Sequence, residues 1–393
     1  MSIPKYNFDI HTHTVFGAGS LNTLHEQKLP GRKALLVISC GKSTRANGSL
    51  DRTIAQLEQA GVQVALFDQV QANPLKDTVM DGAQAARDAG SDFIVALGGG
   101  SVMDASKAIA LMATNPGDLW DYVQFGTGGR KPVENTPLPL VAITTTAGTG
   151  SETDGGGVIT NPETHEKTAV FDGHRLMPVL AIVDPELMLS VPPKFTAFQG
   201  FDALFHSTEG YIAKQANFMS DLVSLGAIEN VGSHLAAAVA QGNDLSAREH
   251  VAFANWLSGL SMELSGCISE HSLEHALSAY HQDLPHGAGL IMISKAYYTH
   301  FVEKGCCPER FIRMAKALGK ADATRPQDFV DALVELQRAC GVDQLKMSDY
   351  GITPDEFPAM ADNALSAMGF LFAGDPAELT RDDCIRIYQE SYR

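Results

Sequence analysis

The stretch DFIVALGGGSVMDASKAIALMAT, residues 92–114, decides the fold of the first half of the chain. Its apolar run predicts a buried strand, its three glycines predict a tight turn, and the alanine-rich run that follows predicts a helix. A strand that passes through a glycine turn into a helix is the repeating unit of a parallel sheet covered by helices. The sequence therefore predicts an α/β fold of the Rossmann-like type.

Further apolar runs of strand length lie on both sides of this unit. They are ALLVIS (34–39), QVALFDQV (63–70), PLVAITTT (139–146) and LAIVDPE (180–186). From Lys194 onward, alanine-rich helical segments follow one another with little strand signal. We therefore predict an α/β domain over residues 1–190 and an all-helical domain over residues 191–393.

The composition is that of an acidic globular protein of 393 residues, with 45% hydrophobic residues and a formal net charge of −17. This charge argues against nucleic acid or an anionic membrane as a partner. The six cysteines form no CxxC pair, which favours a reducing compartment. The N-terminus lacks the pattern of a signal peptide, and no apolar run is expected to span a membrane, so we predict a cytoplasmic protein.

Four histidines fall within residues 271–286, in the stretch HSLEHALSAYHQDLPHGAG. Asp202 and His206 lie upstream in GFDALFHSTEGYI. The i,i+4 spacing of Asp202/His206 and of His271/His275 places each pair on one helix face. Two such faces can close around a divalent metal ion.

The residue types suggest which ion the cluster would bind. One carboxylate and three imidazoles suit Fe²⁺, with Zn²⁺ as the alternative, better than Mg²⁺ or Ca²⁺, which prefer oxygen ligands. His275 lies one helical turn beyond a proposed ligand and is the candidate proton carrier, whereas the role of His281 stays open. The proposed ligands are Asp202, His206, His271 and His286.

A second histidine pair, in FDIHTHT, allows a different function. An HxH motif at the end of a first strand is typical of metal-dependent hydrolases built on a (β/α)₈ barrel, which would use His11 and His13. The second half of the chain lacks the strands that such a barrel needs. Alternation along an edge strand explains the same two histidines without a metal.

The glycine turn has two interpretations that are compatible. GGGSVMDASK (98–107) follows a strand and opens a helix, which is the setting that a phosphate-binding turn requires, although its spelling is not GxGxxG. Alternatively, Ser101 caps the helix and Asp104 completes a capping box. A second Gly/Thr turn, TTTAGTGSE (144–152), ends another strand, and two such turns at one sheet edge favour a nucleotide.

Taken together, these motifs resemble the iron-containing (group III) alcohol dehydrogenase family, nearest to its butanol-dehydrogenase-like branch. The similarity covers nearly the whole chain. Its most specific segments are VFGAGSL, ALGGGSVMDASKAIA, ITTTAGTGSE, VDPELMLSVPP, GFDALFHSTEGYI and EHSLEHALSAYHQDLPHG. The four proposed metal ligands fall at the family's ligand positions, and the resemblance implies the dehydroquinate synthase-like fold.

The resemblance also implies a function. It implies hydride transfer between NAD(P)(H) and a small primary alcohol or aldehyde, with the dinucleotide bound by the first domain and the metal and substrate by the second. Many members are homodimers or larger homo-oligomers. The implied cofactor-binding residues are Ser39, Gly41, Ser43, Asn73, Gly99, Gly100, Ser101, Asp104, Thr145, Thr146, Thr149 and Lys167.

This chain departs from the family pattern at several positions. Ser39 replaces an aspartate that is common in NAD-using members, and Lys42 and Arg45 lie nearby, so NADP(H) is favoured over NAD(H). The segment between His275 and His286 is one residue longer than usual. Other hypotheses are a same-fold enzyme such as maleylacetate reductase or hydroxyacid–oxoacid transhydrogenase, and a non-catalytic metal-binding protein.

Overall fold

The computed structural model describes Tyr6 and residues 8–393, and it divides into two compact units. The first unit contains residues 9–146 and 150–190. The second contains residues 147–149 and 191–393, together with Tyr6 and Phe8. The expectation of a missing signal peptide depends largely on residues 1–5 and 7, which lie outside the described residues.

The first unit is built on a six-stranded parallel sheet with strand order β1-β8-β5-β4-β2-β3. The strands of this sheet are β1 (His13–Phe16), β2 (Lys33–Ser39), β3 (Gln63–Val70), β4 (Phe93–Gly98), β5 (Leu140–Thr144) and β8 (Leu180–Val183). The predicted α/β fold is confirmed. The sheet is open, so the first unit is not the (β/α)₈ barrel on which the hydrolase alternative depended.

Alternate residues of the central strands pack into two separate cores. In β4, Ile94 and Ala96 join one hydrophobic cluster, whereas Phe93, Val95 and Leu97 join the other. Successive side chains of a strand point to opposite faces, so both faces of this sheet are covered. This explains why its strands read as continuous apolar runs rather than as alternating ones.

Helices and one hairpin complete the first unit. The helices are α1 (Ser43–Ala46), α2 (Ser49–Gln59), α3 (Lys76–Asp88), α4 (Gly100–Thr114) and α5 (Leu119–Tyr122). An antiparallel hairpin of β6 (Gly156–Asn161) and β7 (Glu166–Phe171) was not predicted. His13 begins β1 and His11 precedes it, so the expectation that both alternate along one strand was wrong.

The second unit is helical over the described residues, as predicted. Its helices are α6 (Pro193–Ile212), α7 (Phe218–Ala240), α8 (Leu245–Ser265), α9 (Ser269–Tyr280), α10 (His286–Glu303), α11 (Pro308–Ala317), α12 (Gln327–Ala339), α13 (Phe357–Ala367) and α14 (Arg381–Ser391). Contrary to our expectation, α7 is long and apolar enough to cross a membrane. Its residues Val231 and Leu235 are buried, which gives its apolar character a packing role.

Candidate metal centre and glycine turn

The four proposed metal ligands come from three helices of the second unit. Asp202 and His206 lie one turn apart on α6, His271 lies on α9, and His286 is the first residue of α10. A side chain at Gly287 would collide with the backbone oxygen of Phe198 on α6. The glycine after His286 therefore lets the start of α10 approach α6 closely enough to bring this histidine to the site.

Asp202 is at the centre of the cluster. Its Oδ1 lies 3.5 Å from Nε2 of His271 and 3.5 Å from Nε2 of His286. Two ligands bound about 2.1 Å from one tetrahedral ion lie roughly 3.4 Å apart. Asp202 Oδ1 and His271 Nε2 are buried, and neither has a hydrogen-bond partner among the described residues. Buried polar atoms are normally paired, so this arrangement fits a cation-binding site.

Two buried glutamates orient the imidazoles. Glu209 Oε1 contacts Nδ1 of His271, and Glu274 Oε2 contacts Nδ1 of His286. Because a carboxylate only accepts, each Nδ1 carries a proton, and Nε2, the nitrogen that faces Asp202, is the one that can bind a metal ion. Sequence reasoning missed both glutamates. The signal was the spacing His-x-x-Glu in HSTE and HSLE, which puts each glutamate three residues after a histidine.

His206 is oriented by the backbone instead. Its Nδ1 lies 3.2 Å from the carbonyl oxygen of Gly148, which can only accept a hydrogen bond. Nε2 is therefore the nitrogen with a lone pair for a metal. The ring stacks on His271, with 4.3 Å between the ring centroids, and its Nδ1 lies 3.7 Å from Asp202 Oδ1.

The electrostatics of the cluster keep Asp202 ionised and His206 neutral, whereas they favour the protonated form of His271. Burial lowers the pKa of His206 to about 4, so this imidazole is neutral at pH 7. Burial alone would raise the pKa of Asp202, but His206 and His286 outweigh it and the pKa falls to about 2. Burial also opposes the charged form of His271, yet Glu209 and Asp202 raise its pKa above the usual value. A metal ion would displace that proton.

The other two histidines of the cluster differ in position. His275 is buried on α9, with its ring centroid 5.3 Å from that of His286, so it lies beside the candidate centre. His281 ends α9, and its Nε2 lies 3.0 Å from Glu356 Oε1. His281 therefore belongs to a separate polar contact.

The glycine turn of the first unit leads from β4 into α4. Gly99, in an extended conformation, is the N-cap residue and α4 begins at Gly100, so Ser101 is not the cap that we considered. A side chain at Gly99 would collide with Thr146, so glycine is needed where this turn approaches the turn after β5.

Asp104 connects α4 to β6 and to the segment before it rather than completing a capping box. Its carboxylate accepts hydrogen bonds from Ser151 Oγ at 2.7 Å and from the Val158 amide at 3.0 Å. Lys107, which is fully buried, donates to Ser151 and to Asp154. Burial raises the pKa of Asp104 to about 6, while Lys107 opposes that rise. The Asp104 carboxylate thus positions the turn that follows β5, through Ser151. The sequence did not reveal this arrangement.

The remaining predicted cofactor residues are spread over five segments of the chain. Thr145 and Thr146 follow β5 and are half-buried, Thr149 belongs to the second unit, and Lys167 is buried in β7. Asn73 has a positive φ of 51° after β3. Ser39, Gly41 and Ser43 lie between the end of β2 and α1.

An acidic residue that sequence reasoning missed lies near this last segment. Arg45 Nη2 pairs with Asp68 Oδ2 of β3 at 2.5 Å, and both side chains are almost half exposed. The pair places a carboxylate next to a cation that we had linked to NADP(H).

Comparison with known proteins identifies the relatives of this chain. The pattern of the family "Iron-containing alcohol dehydrogenase" matches residues 11–185, and that of "Fe-containing alcohol dehydrogenase family, C-terminal" matches residues 196–392. The chain belongs to the iron-containing alcohol dehydrogenase family. It is therefore an oxidoreductase of the alcohol dehydrogenase type, and the resemblance inferred from its motifs is confirmed.

Individual relatives of this iron-containing alcohol dehydrogenase match it over nearly its whole length. The 1,3-propanediol dehydrogenase of Klebsiella pneumoniae is 34% identical over 93% of this chain and 94% of its own. The NADPH-dependent butanol dehydrogenase of Clostridium saccharobutylicum is 31% identical over 98% and 97%. An archaeal halo-thermophilic Red Sea brine pool alcohol dehydrogenase, solved bound to NZQ, superposes with a TM-score of 0.94 at 34% identity, with all of both chains covered. Both NAD-dependent and NADPH-dependent enzymes occur among the relatives.

Proposed function

We propose that this protein is a metal-dependent alcohol dehydrogenase and aldehyde reductase for small primary alcohols and aldehydes. The observation that carries the proposal is the convergence of Asp202, His271 and His286, with the aspartate oxygen 3.5 Å from both imidazole nitrogens. A divalent ion held there supplies Lewis-acid polarisation of the substrate oxygen, and a nicotinamide supplies or accepts the hydride. In this proposal residues 191–393 carry the metal and substrate, and residues 1–190 bind the dinucleotide.

The protein side chains would hold the ion and neutralise part of its charge. Asp202 contributes one negative charge, and His206 contributes a neutral imidazole because burial lowers its pKa to about 4. Glu209 and Glu274 hold two further imidazoles in the orientation in which Nε2 faces the aspartate. We propose Fe²⁺ as the ion, with Zn²⁺ as the alternative, because this donor set suits either.

His275 is the proposed proton carrier. Oxidation of an alcohol releases a proton, and an imidazole is the side chain that most often carries one near neutral pH. Its burial and its 5.3 Å ring separation from His286 support a position next to the reacting oxygen. No other imidazole of the described residues adjoins the four proposed ligands in this way.

For the cofactor we propose a preference for NADP(H) over NAD(H). Ser39, at the end of β2, provides no carboxylate to repel a 2′-phosphate, and Lys42 and Arg45 lie in the following segment. The ion pair between Arg45 and Asp68 limits this preference, since it neutralises one of the two cations. The side chains thus support a moderate rather than an absolute selectivity.

We also propose a cytoplasmic homodimer or larger homo-oligomer. Phe218, Leu222 and Phe253 are exposed on α7 and α8, with 71% of Leu222 accessible to solvent. Exposed apolar side chains that lie close in sequence and on neighbouring helices are typical of contacts between subunits. Light scattering coupled to size-exclusion chromatography would measure the oligomeric state.

The test of the function is a matrix of rates. Purified protein loaded with Fe²⁺ without oxygen, or with Zn²⁺, is mixed with NADPH or NADH and a panel of short aldehydes, maleylacetate and 2-oxoacids. We expect metal-dependent oxidation of the nicotinamide with the aldehydes, fastest with NADPH. Turnover of maleylacetate or of an oxoacid alone would favour the same-fold alternatives, and binding of metal without any turnover would favour the non-catalytic one.

A further inference from the structure

A cysteine lies beside the candidate metal centre. Cys267 is in the short segment between α8 and α9, after Gly266, whose φ of 74° turns the chain. The amide of the next residue, Ile268, donates a hydrogen bond of 2.7 Å to Glu209 Oε2. The same carboxylate accepts from His271 through its other oxygen. One buried group therefore fixes both the cysteine-bearing segment and a proposed metal ligand.

The thiol is within reach of two of the proposed ligands. Sγ of Cys267 and one ring nitrogen each of His206 and His271 all lie within 4.8 Å of one another. With metal bonds of about 2.1 Å to nitrogen and 2.3 Å to sulfur, a nitrogen and a sulfur on one ion lie roughly 3.1 Å apart at a right angle, about 3.6 Å apart at the tetrahedral angle and about 4.4 Å apart when opposite. Three atoms within 4.8 Å of one another lie at most about 2.8 Å from a common point, so movements of roughly half an ångström bring all three to bonding distance of a single ion.

A second observation indicates a ligand at this point. His271 is 4% exposed, and its Nε2 has no hydrogen-bond partner among the described residues. Its other nitrogen is held by Glu209, so the ring cannot turn to satisfy Nε2 elsewhere. A buried imidazole nitrogen fixed in this way requires a cation or another donor to compensate it, and Cys267 lies within reach of the same ring.

We propose that Cys267 is an additional ligand of this metal centre, an inference that rests on the proposed function. On metal loading the S–H bond breaks, the proton passes to solvent, and a sulfur lone pair forms the bond to the ion. No oxidant or reductant is needed. A thiolate beside Asp202 gives the site two negative charges, which balance a divalent ion. It also makes the donor set softer, which further favours Fe²⁺ or Zn²⁺ over Mg²⁺ or Ca²⁺.

Cobalt substitution tests this directly, because Co²⁺ reports its ligands by absorption. We expect Co²⁺-loaded protein to show a thiolate-to-metal charge-transfer band in the near ultraviolet. The band should vanish in Cys267→Ser and Cys267→Ala, and it should persist in the control Cys40→Ser, whose cysteine is exposed and lies in the first unit. A band that survives Cys267→Ala would overturn the proposal.

The visible d–d bands of Co²⁺ distinguish failure of the Cys267 assignment from failure of the proposed function. If these bands appear without a charge-transfer band, the ion is bound but Cys267 is not a ligand, and only this proposal is wrong. If neither appears, the protein has no such metal centre, and the proposed function fails as well.

A second measurement needs no variant. Alkylation of wild-type protein followed by peptide mass spectrometry should show Cys267 protected by Zn²⁺ while Cys40 reacts equally with and without the ion. Equal alkylation of Cys267 in both conditions would contradict its assignment as a ligand.

Discussion

Glu209 on α6 accepts a hydrogen bond from Nδ1 of His271 on α9, and this bond turns the imidazole so that Nε2 lies 3.5 Å from Asp202 Oδ1. The carboxylate is fully buried, and burial raises its pKa while the neighbouring imidazole opposes that rise. The ionised form of Glu209 is therefore favourable in this buried position only with a proton donor opposite it. The partnership fixes which nitrogen faces the candidate metal centre.

Replacing Glu209 by glutamine should weaken metal binding without removing a ligand. An amide can still accept a hydrogen bond but no longer supplies the charge that orients and polarises His271. We expect metal affinity to fall by about 10- to 100-fold, measured by competition with a chromophoric chelator. Glu356→Gln is the matched control, since it alters the similar contact to His281 away from the site. Equal losses in both variants would show that the effect is not specific to the centre.

His275→Gln should separate proton transfer from metal binding. Because His275 is not among the proposed ligands, the variant should keep its full metal content by elemental analysis. We expect kcat to fall by about 10²- to 10⁴-fold and its pH dependence to change, as for loss of a general acid–base group. His281→Gln serves as the control and should keep the metal content, the kcat and the pH dependence of the wild-type protein. A loss of metal in His275→Gln would instead make His275 a ligand.

Asp68→Asn should increase the preference for NADP(H). The substitution frees Arg45 from its 2.5 Å ion pair and leaves the guanidinium available to a 2′-phosphate. An exposed pair contributes roughly 0.5–1 kcal/mol, so KM for NADPH should fall by about 2- to 5-fold while KM for NADH stays constant. Asp362→Asn, which breaks a comparable surface pair with Arg381, is the control. Parallel changes with both cofactors would refute a role in discrimination.

Asp383 predicts a change of stability at acid pH. It completes the capping box at the start of α14, where its carboxylate accepts hydrogen bonds from the amide and the hydroxyl of the N-cap residue Thr380. These bonds, with His300 and Lys304, outweigh partial burial and lower the pKa of Asp383 to about 2. A carboxylate whose pKa is lowered on folding stabilises the protein above its unfolded value of about 3.9, and this contribution disappears as the pH falls towards 2.

The variant Asp383→Ala should therefore unfold about 1 kcal/mol more easily at pH 7 in urea, with a smaller difference near pH 2. Asp382→Ala, at the adjacent exposed position of the same helix turn, should show little change. If the difference in unfolding free energy between Asp383→Ala and wild type stays constant down to pH 2, the ionised Asp383 carboxylate is not the cause of that difference.

Local patterns were sufficient to predict the parallel sheet and the helical second unit. Strand β3, for example, begins and ends at the residues expected from its apolar run. The hairpin β6–β7 was missed because its strands contain glycine, glutamate and lysine and make no continuous apolar run. The hairpin depends instead on packing against the rest of the unit, such as the close approach of Gly157 to the backbone of Asp104 in α4.

For the candidate site, the sequence indicated which donors exist but not how they are held. Asp202, His206, His271 and His286 were selectable because their types and helical spacing are local properties. Glu209 was not, since its partner His271 is 62 residues away and only the packing of α6 against α9 joins them. The cap at Gly99 was also misassigned, because an extended glycine moves the start of α4 to Gly100.

In the proposed function, Asp202 and three histidines hold one divalent ion on which turnover depends. The most direct measurement titrates chelator-treated protein with Fe²⁺ or Zn²⁺, following bound metal and the rate of NADPH oxidation by an aldehyde together. We predict that the rate rises in proportion to bound metal and saturates at a single ion per chain, and that Asp202→Ala and His271→Ala lose both. Full activity of the metal-free protein, or unchanged metal binding in His271→Ala, would contradict the claim.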